Sequence, residues 1–268
     1  MKNVTLVSAL FNIERENIDG RKWDEYLKWF EITLKLKCPM ILFITEDIRK
    51  FVEERRLEIP TEIIIQTIEE IPYYYLKNKI NQIIESEFFK KTVKDVERIE
   101  CKDSMYSIIQ YSKFKWLQQA IEENPFNSKF FFWMDAGASR FFGNYDLTQN
   151  YPSLNGLEAL EEMGDKFLIQ MNTEYYPDLS NAETLSEDYL YDCRSFTLGS
   201  FFGGTEIAIL QVVKEIENIL LNKMIANDFI NNEQIALGYL LKTKPDLFVQ
   251  YERYNGEHMD LFNELSKK

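Results

Sequence analysis

Apolar and polar positions along the chain follow a strand–helix rhythm. Val4 to Phe11 is an apolar run rich in β-formers and predicts a first strand. The polar stretch after it ends in Asp19-Gly20, a turn signal. From Lys22 to Leu36, apolar residues fall at Trp23, Tyr26, Leu27, Phe30 and Leu34, which is helical spacing. Cys38-Pro39 stops that helix, because the residue before a proline disfavours the α conformation. Met40–Thr45 reads as a second strand and Glu46–Glu54 as a short helix. After Pro60, Thr61–Gln66 reads as a third strand. This order predicts a parallel sheet with right-handed crossovers.

Farther along, Ile71–Glu100 predicts short helices laid over the sheet, and Lys102–Glu123 a longer helix ending at Asn124-Pro125. Phe130–Met134 is apolar throughout, as expected of a strand buried on both faces. The aromatic stripe Trp116, Phe130, Phe131 and Trp133 therefore reads as core. Leu157–Met163 is a further short helix, and Lys166–Asn172 and Ser195–Phe202 add strands. Gly203-Gly204-Thr205 reads as the turn into a helix over Glu206–Met224, with Thr205 as its N-cap. Asn231–Lys242 predicts another helix, and Phe248–Tyr251 a last strand. Thr173–Arg194 is polar, acidic and rich in tyrosine. A loop of that length is expected to be a lid or an acceptor-binding segment. No repeat and no Gly-, Pro- or Ser-rich linker divides the 268 residues. One α/β domain with a mostly parallel central sheet is expected.

Charge narrows the function. The chain carries 31 basic and 44 acidic residues, a net charge of −13. An acidic chain is poorly suited to nucleic acid or to anionic lipid, both of which need a basic face. Cys38, Cys101 and Cys193 are far apart and include no CxxC pair, which speaks against a zinc site and a disulfide framework. A reducing, cytoplasmic setting is expected. Val4–Phe11 is too short for a signal peptide, and no apolar run reaches the ~18 residues of a membrane span.

The candidate chemistry gathers at Asp135. A buried strand that delivers a carboxylate to its C-terminal end is a usual site-forming arrangement in an open α/β sheet. Asp135 is followed by Ala136 and Gly137, small residues that let a ligand approach the backbone. A magnesium or manganese ion needs only one or two carboxylates when a diphosphate completes its shell. Asp135 equally fits a cap on the turn after a strand. Gly203 and Gly204 permit backbone contact with an anionic ligand or simply tight packing. Glu233, in Asn231-Asn-Glu-Gln234, is a candidate general base or an ordinary acidic residue in a first helical turn. His258, the single histidine, is a candidate ligand for a manganese-class ion or a plain surface residue. Arg15, Lys113 and Arg140 are the candidate phosphate contacts.

Taken in order, several segments together resemble the HtrL/YibB-like family of bacterial sugar transferases. They are Val4–Ile13 with Arg15, Tyr111–Leu117, Phe132-Trp-Met-Asp-Ala-Gly137 with Ser139-Arg-Phe141, Phe202-Gly-Gly204 and Asn232-Glu-Gln234. The resemblance implies a glycosyltransferase of GT-A type that takes a nucleotide sugar, a UDP-sugar first. Its acceptor would be a saccharide or lipid-linked saccharide in surface polysaccharide or glycoconjugate synthesis. It implies Mn²⁺ or Mg²⁺ held by Asp135, with His258 completing the shell because Gly137 stands where a D-x-D motif has its second carboxylate. It also implies that the backbone at Ala9 and Phe11 holds the nucleobase and that Lys113 or Arg15 faces phosphate. Ala136, Gly137, Gly203 and Gly204 would lie beside the donor, and Glu233 near the acceptor hydroxyl. Other readings of the same residues are a nucleotidyltransferase or phosphohydrolase, and a non-catalytic nucleotide-sugar-binding module.

Overall fold

A computed structural model describes residues 4–253 and 258–267. Its seven strands are β1 (Val4–Leu10), β2 (Met40–Ile44), β3 (Thr61–Ile65), β4 (Phe130–Met134), β5 (Phe167–Asn172), β6 (Thr197–Thr205) and β7 (Phe248–Arg253). They form one sheet in the order β3-β2-β1-β4-β6-β5-β7. β1, β2, β3 and β4 pair in parallel, as do β5 and β7. β6 alone among these strands runs antiparallel, against β4 on one side and β5 on the other. The α/β class and the mostly parallel sheet agree with the sequence pattern.

The helices are α1 (Glu16–Asp19), α2 (Trp23–Thr33), α3 (Arg49–Arg55), α4 (Lys77–Glu85), α5 (Glu87–Thr92), α6 (Ser104–Glu123), α7 (Leu154–Glu162), α8 (Pro177–Ser180), α9 (Glu206–Asn218), α10 (Glu233–Thr243) and α11 (Asp260–Glu264). α6 is the longest. Asp103 caps its start by accepting from Met105 N, and Asn124 ends it in the left-handed conformation. Buried residues occur on most of its circumference, as suits a helix enclosed between the sheet and other helices.

Strand parity decides which core each residue joins. Phe130, Phe132 and Met134 pack with Leu6, Leu10, Phe30 and Val52 on the α2 and α3 face. Phe131 and Trp133 pack with Val7, Trp116 and Phe202 on the α6 and α9 face. Two more residues along, Asp135 inherits the α6 side.

Some local expectations shift. The predicted helix Glu206–Met224 is α up to Asn218 and then loosens into a π-helix over Ile219–Met224. β6 continues through Gly203, Gly204 and Thr205, so these residues are sheet and not turn. Thr173–Arg194 is not an open loop. It holds α8 and a 3₁₀ turn over Glu187–Tyr191, with Tyr189 and Leu190 buried. Asn231 Nδ2 ties it down by donating to Leu190 O at 2.9 Å and Asp192 O at 2.7 Å.

Candidate functional site

The chain leaves β1 toward β2 and β3 on one side and later returns to lay β4 on the other. The C-terminal ends of β1 and β4 therefore diverge, and a crevice opens between them. A cavity of about 310 Å³ lies there, floored by Ala9, Phe11, Trp133 and Asp135. Of the residues foreseen at a donor site, Ala9, Phe11, Arg15, Lys113, Asp135, Ala136, Gly137 and Arg140 all line this one cavity.

The loop after β4 is held firmly. Asp135 N donates to Ser200 O at 3.0 Å, and Ala138 N closes the turn onto Asp135 O at 2.9 Å. Thr33 Oγ1 donates to Ala136 O at 3.0 Å, and Ser139 Oγ to Trp29 O at 2.7 Å, fastening the loop to α2. The Asp135 side chain is 36% exposed. Its Oδ1 accepts the Trp133 indole N–H at 2.7 Å and lies 3.1 Å from Lys113 Nζ. Oδ2 has no bond to any described residue. Trp133 is thus core, as foreseen, and also holds the site carboxylate. The ladder Phe11–Trp116–Trp133, with ring centroids 5.5 and 5.8 Å apart, stiffens its position.

Lys113 is 2% exposed. Its ammonium contacts Asp135 Oδ1, Glu233 Oε1 at 2.7 Å and Gly199 O at 3.0 Å. Two of the ammonium's three donors go to Glu233 and Gly199, and its charge is paired with both Glu233 and Asp135. Burial opposes the charge, but Asp135 and Glu233 outweigh burial and raise the Lys113 pKa above its ordinary value. Lys113 lines the cavity wall as the core of an ion-pair network and does not serve as an open phosphate contact.

Glu233 is fully buried and lies outside the cavity lining. Burial raises its pKa, and Lys113 only partly offsets that. Its Oε1 is committed to Lys113 and its Oε2 is buried with no hydrogen-bond partner, so the foreseen general base does not line the cavity as the residues stand. The neighbours of Glu233 in this segment hold the backbone. Asn231 anchors the preceding loop, and Asn232 caps α10 by accepting from Ile235 N. Gln234 Oε1 accepts from Ser195 Oγ at 3.5 Å.

Gly203 and Gly204 lie inside the sheet, opposite Phe132 and Phe131 of β4, away from the end that carries Asp135. A Cβ on Gly203 would collide with Phe131 O, and one on Gly204 with Lys166 O. These glycines admit neighbouring strands and do not approach a donor sugar.

Arg15 leads into α1 and is locked to Asp19, with its guanidinium 4.8 Å over the Tyr106 ring. Burial works against its charge, but Asp19 raises its pKa overall. Among the cavity residues missed by sequence reasoning are Tyr106, Gln110 and Arg21, and also Asn12, Glu14, Glu16 and Asn17. The first two were detectable, since Tyr106, Ile109, Gln110 and Lys113 follow helical i, i+3, i+4, i+7 spacing. Arg21 gave no such signal, because α1 and its turn place it.

Among the described residues, Asp135 is the one foreseen metal ligand that lines the cavity. Gly137, at the position of a second carboxylate, directs its absent Cβ to within 3.3 Å of Trp29 Cε3, so a side chain there would have to displace the indole. The His258 ring packs 4.5 Å from Phe141, and its backbone O accepts from Ser200 Oγ at 3.2 Å. It is near the Asp135 loop but does not line the cavity. Among the described residues, no group of three His, Cys, Asp or Glu side chains stands together to hold a metal ion. Among those residues, too, no helix is long and apolar enough to cross a membrane.

Comparison with known proteins gives three findings. The Protein HtrL of Escherichia coli (strain K12) is 21% identical over 274 residues, covering 97% of this chain and 91% of that protein. The apo crystal structure of mouse xyloside xylosyltransferase 1 is a distant likeness, with a TM-score of 0.42 and 11% identity. It covers 93% of this chain and 84% of that one. A family model described as "Bacterial protein of unknown function (HtrL_YibB)" matches residues 2–266. By that match, which takes in the cavity and every strand around it, the chain belongs to the HtrL_YibB family.

Proposed function

We propose that the protein is a glycosyltransferase of GT-A type that takes a nucleotide-diphosphate sugar, with a UDP-sugar as the first candidate, and transfers the sugar to a saccharide acceptor. One observation carries this reading. In a chain of net charge −13, the β1–β4 crevice brings four cations, Arg15, Arg21, Lys113 and Arg140, together with the carboxylates Glu14, Glu16 and Asp135. Crevices of this kind are where open α/β sheets bind nucleotides. The aromatic walls Phe11, Tyr26 and Tyr106 suit a nucleobase or sugar ring.

In the transfer, the acceptor hydroxyl oxygen bonds to the anomeric carbon as the bond from that carbon to the diphosphate oxygen breaks. The electron pair leaves on the diphosphate, and the hydroxyl proton is released. The cavity cations oppose the growing negative charge. Asp135 Oδ2 accepts a hydrogen bond from a donor hydroxyl, and Trp133 and Lys113 hold the carboxylate in place for it.

Incubation with a panel of UDP-sugars should release UDP, and Asp135→Asn should lower that release by roughly 10²-fold or more. Sugar-dependent consumption of NTP with sugar phosphate would instead identify a nucleotidyltransferase. A second reading, a non-catalytic nucleotide-sugar-binding module, draws on the burial of Glu233 behind Lys113. It predicts UDP binding without turnover on any acceptor.

A further inference from the structure

A diphosphate in this cavity needs counter-charge, and the chain presents it in two layers. At the mouth, the Arg140 guanidinium lies 4.8 Å over the Trp29 ring and 4.7 Å over the Phe141 ring. No carboxylate among the described residues bonds it. Burial lowers its pKa, and the like charge of Arg21 adds to that lowering. Arg21 has only a loose carboxylate contact, 3.9 Å to Asp19 Oδ2. Arg21 and Arg140 line the same cavity and their like charges oppose each other, an arrangement that an anion between them would relieve.

Behind them, Lys113 and Asp135 form a fixed pair at 3.1 Å. The ammonium, shared between Asp135 and Glu233, offsets part of the field that Asp135 would offer a divalent ion. A cation on Oδ2 would also meet the positive charges of Lys113, Arg21 and Arg140, which share the cavity with Glu14 and Glu16. Gly137 supplies no second carboxylate beside Asp135, and Asp135 Oδ1 is already taken by the Trp133 indole N–H and Lys113.

Resting on the donor reading above, we propose that Arg21 and Arg140, in front of the locked Lys113–Asp135 pair, neutralise the donor's diphosphate, and that donor binding needs no divalent metal. The chain's own fixed cations take the place of the ion.

The test is calorimetric titration of UDP, with GDP and ADP alongside, into the 268-residue chain. It is run once in EDTA and once with Mn²⁺ or Mg²⁺. The dissociation constant in EDTA should fall within about threefold of that with metal, a difference well under 1.4 kcal/mol. Arg140→Gln and Arg21→Gln should each weaken binding by about tenfold or more in both buffers. Both side chains are exposed, so unchanged melting temperatures verify that the variants fold. Affinity confined to the metal-containing buffer would overturn the inference and leave the donor reading standing. Arginine variants that bind UDP like the parent would overturn it too. If no nucleoside diphosphate binds in either buffer, the donor reading falls and the inference falls with it.

Discussion

The two ends of β4 present small residues in much the same way, yet they do opposite things. At one end Asp135, Ala136 and Gly137 border an open cavity. Toward the other, Phe131 and Phe132 face Gly204 and Gly203 of β6, and neighbouring backbone fills the space. Each glycine pair or triplet looked capable of receiving a ligand. The difference lies in what stands beside it. Next to Asp135 the topology separates β1 from β4, so a crevice remains. At Gly203 and Gly204 both flanking strands pair with β6, so the missing side chains serve close packing. A glycine in sequence marks a close approach, and only its neighbours decide whether the approaching group is a ligand or the protein itself.

Substitutions can break or sharpen this contrast. The largest effect is expected where the cavity meets the core. Lys113→Met leaves Asp135 and Glu233 uncompensated, and breaking such a buried pair costs about 3–5 kcal/mol. Urea unfolding should show this loss at neutral pH. The pH sign follows from the raised Lys113 pKa. Its stabilisation is complete below the ordinary value of 10.5 and fades as pH climbs through the higher folded-state value. The difference between parent and Lys113→Met should therefore shrink at alkaline pH. A difference that grows there would mean that the ammonium does not hold the site together.

Gly203→Ala comes next. Its Cβ meets backbone and not a movable side chain, so overpacking of about 1–3 kcal/mol is expected in thermal or urea unfolding. Stability equal to the parent, combined with weaker UDP binding, would return Gly203 to the ligand site and end the contrast. The smallest stability effect belongs to Gly137→Ala. Its Cβ would stand 3.3 Å from a Trp29 ring atom, and a small shift of the indole relieves that, so under about 1 kcal/mol is expected. UDP affinity should change more than melting temperature, because Trp29 supports Arg140 at the cavity mouth. A large stability loss without any change in affinity would show that both ends of β4 are sealed.

Periodicity and local chemistry were enough to identify most of the architecture. β1, β2 and β4 are runs so apolar that only a sheet covered on both sides can hold them. The alternation with helical segments required parallel neighbours. The placement of Asp135 at a strand end was legible for the same reason, and so was the nearness of Ala9, Phe11 and Arg15, which leave the adjacent strand end. Family membership was legible from ordered short segments, and the match over residues 2–266 agrees.

Tertiary structure alone decided the roles of the charged groups. A lysine and a glutamate 120 positions apart carry no local sign that they will meet, yet Lys113 Nζ and Glu233 Oε1 lie at 2.7 Å. That contact pairs the lysine's charge internally and places the glutamate outside the cavity lining. It also required Gly199, whose added Cβ would strike Glu233 Oε1. Sequence specifies which residues are buried through patterns a few positions long. Which buried charges neutralise one another depends on strands brought together from distant parts of the chain, and that pairing determines which side chains are left to meet a substrate.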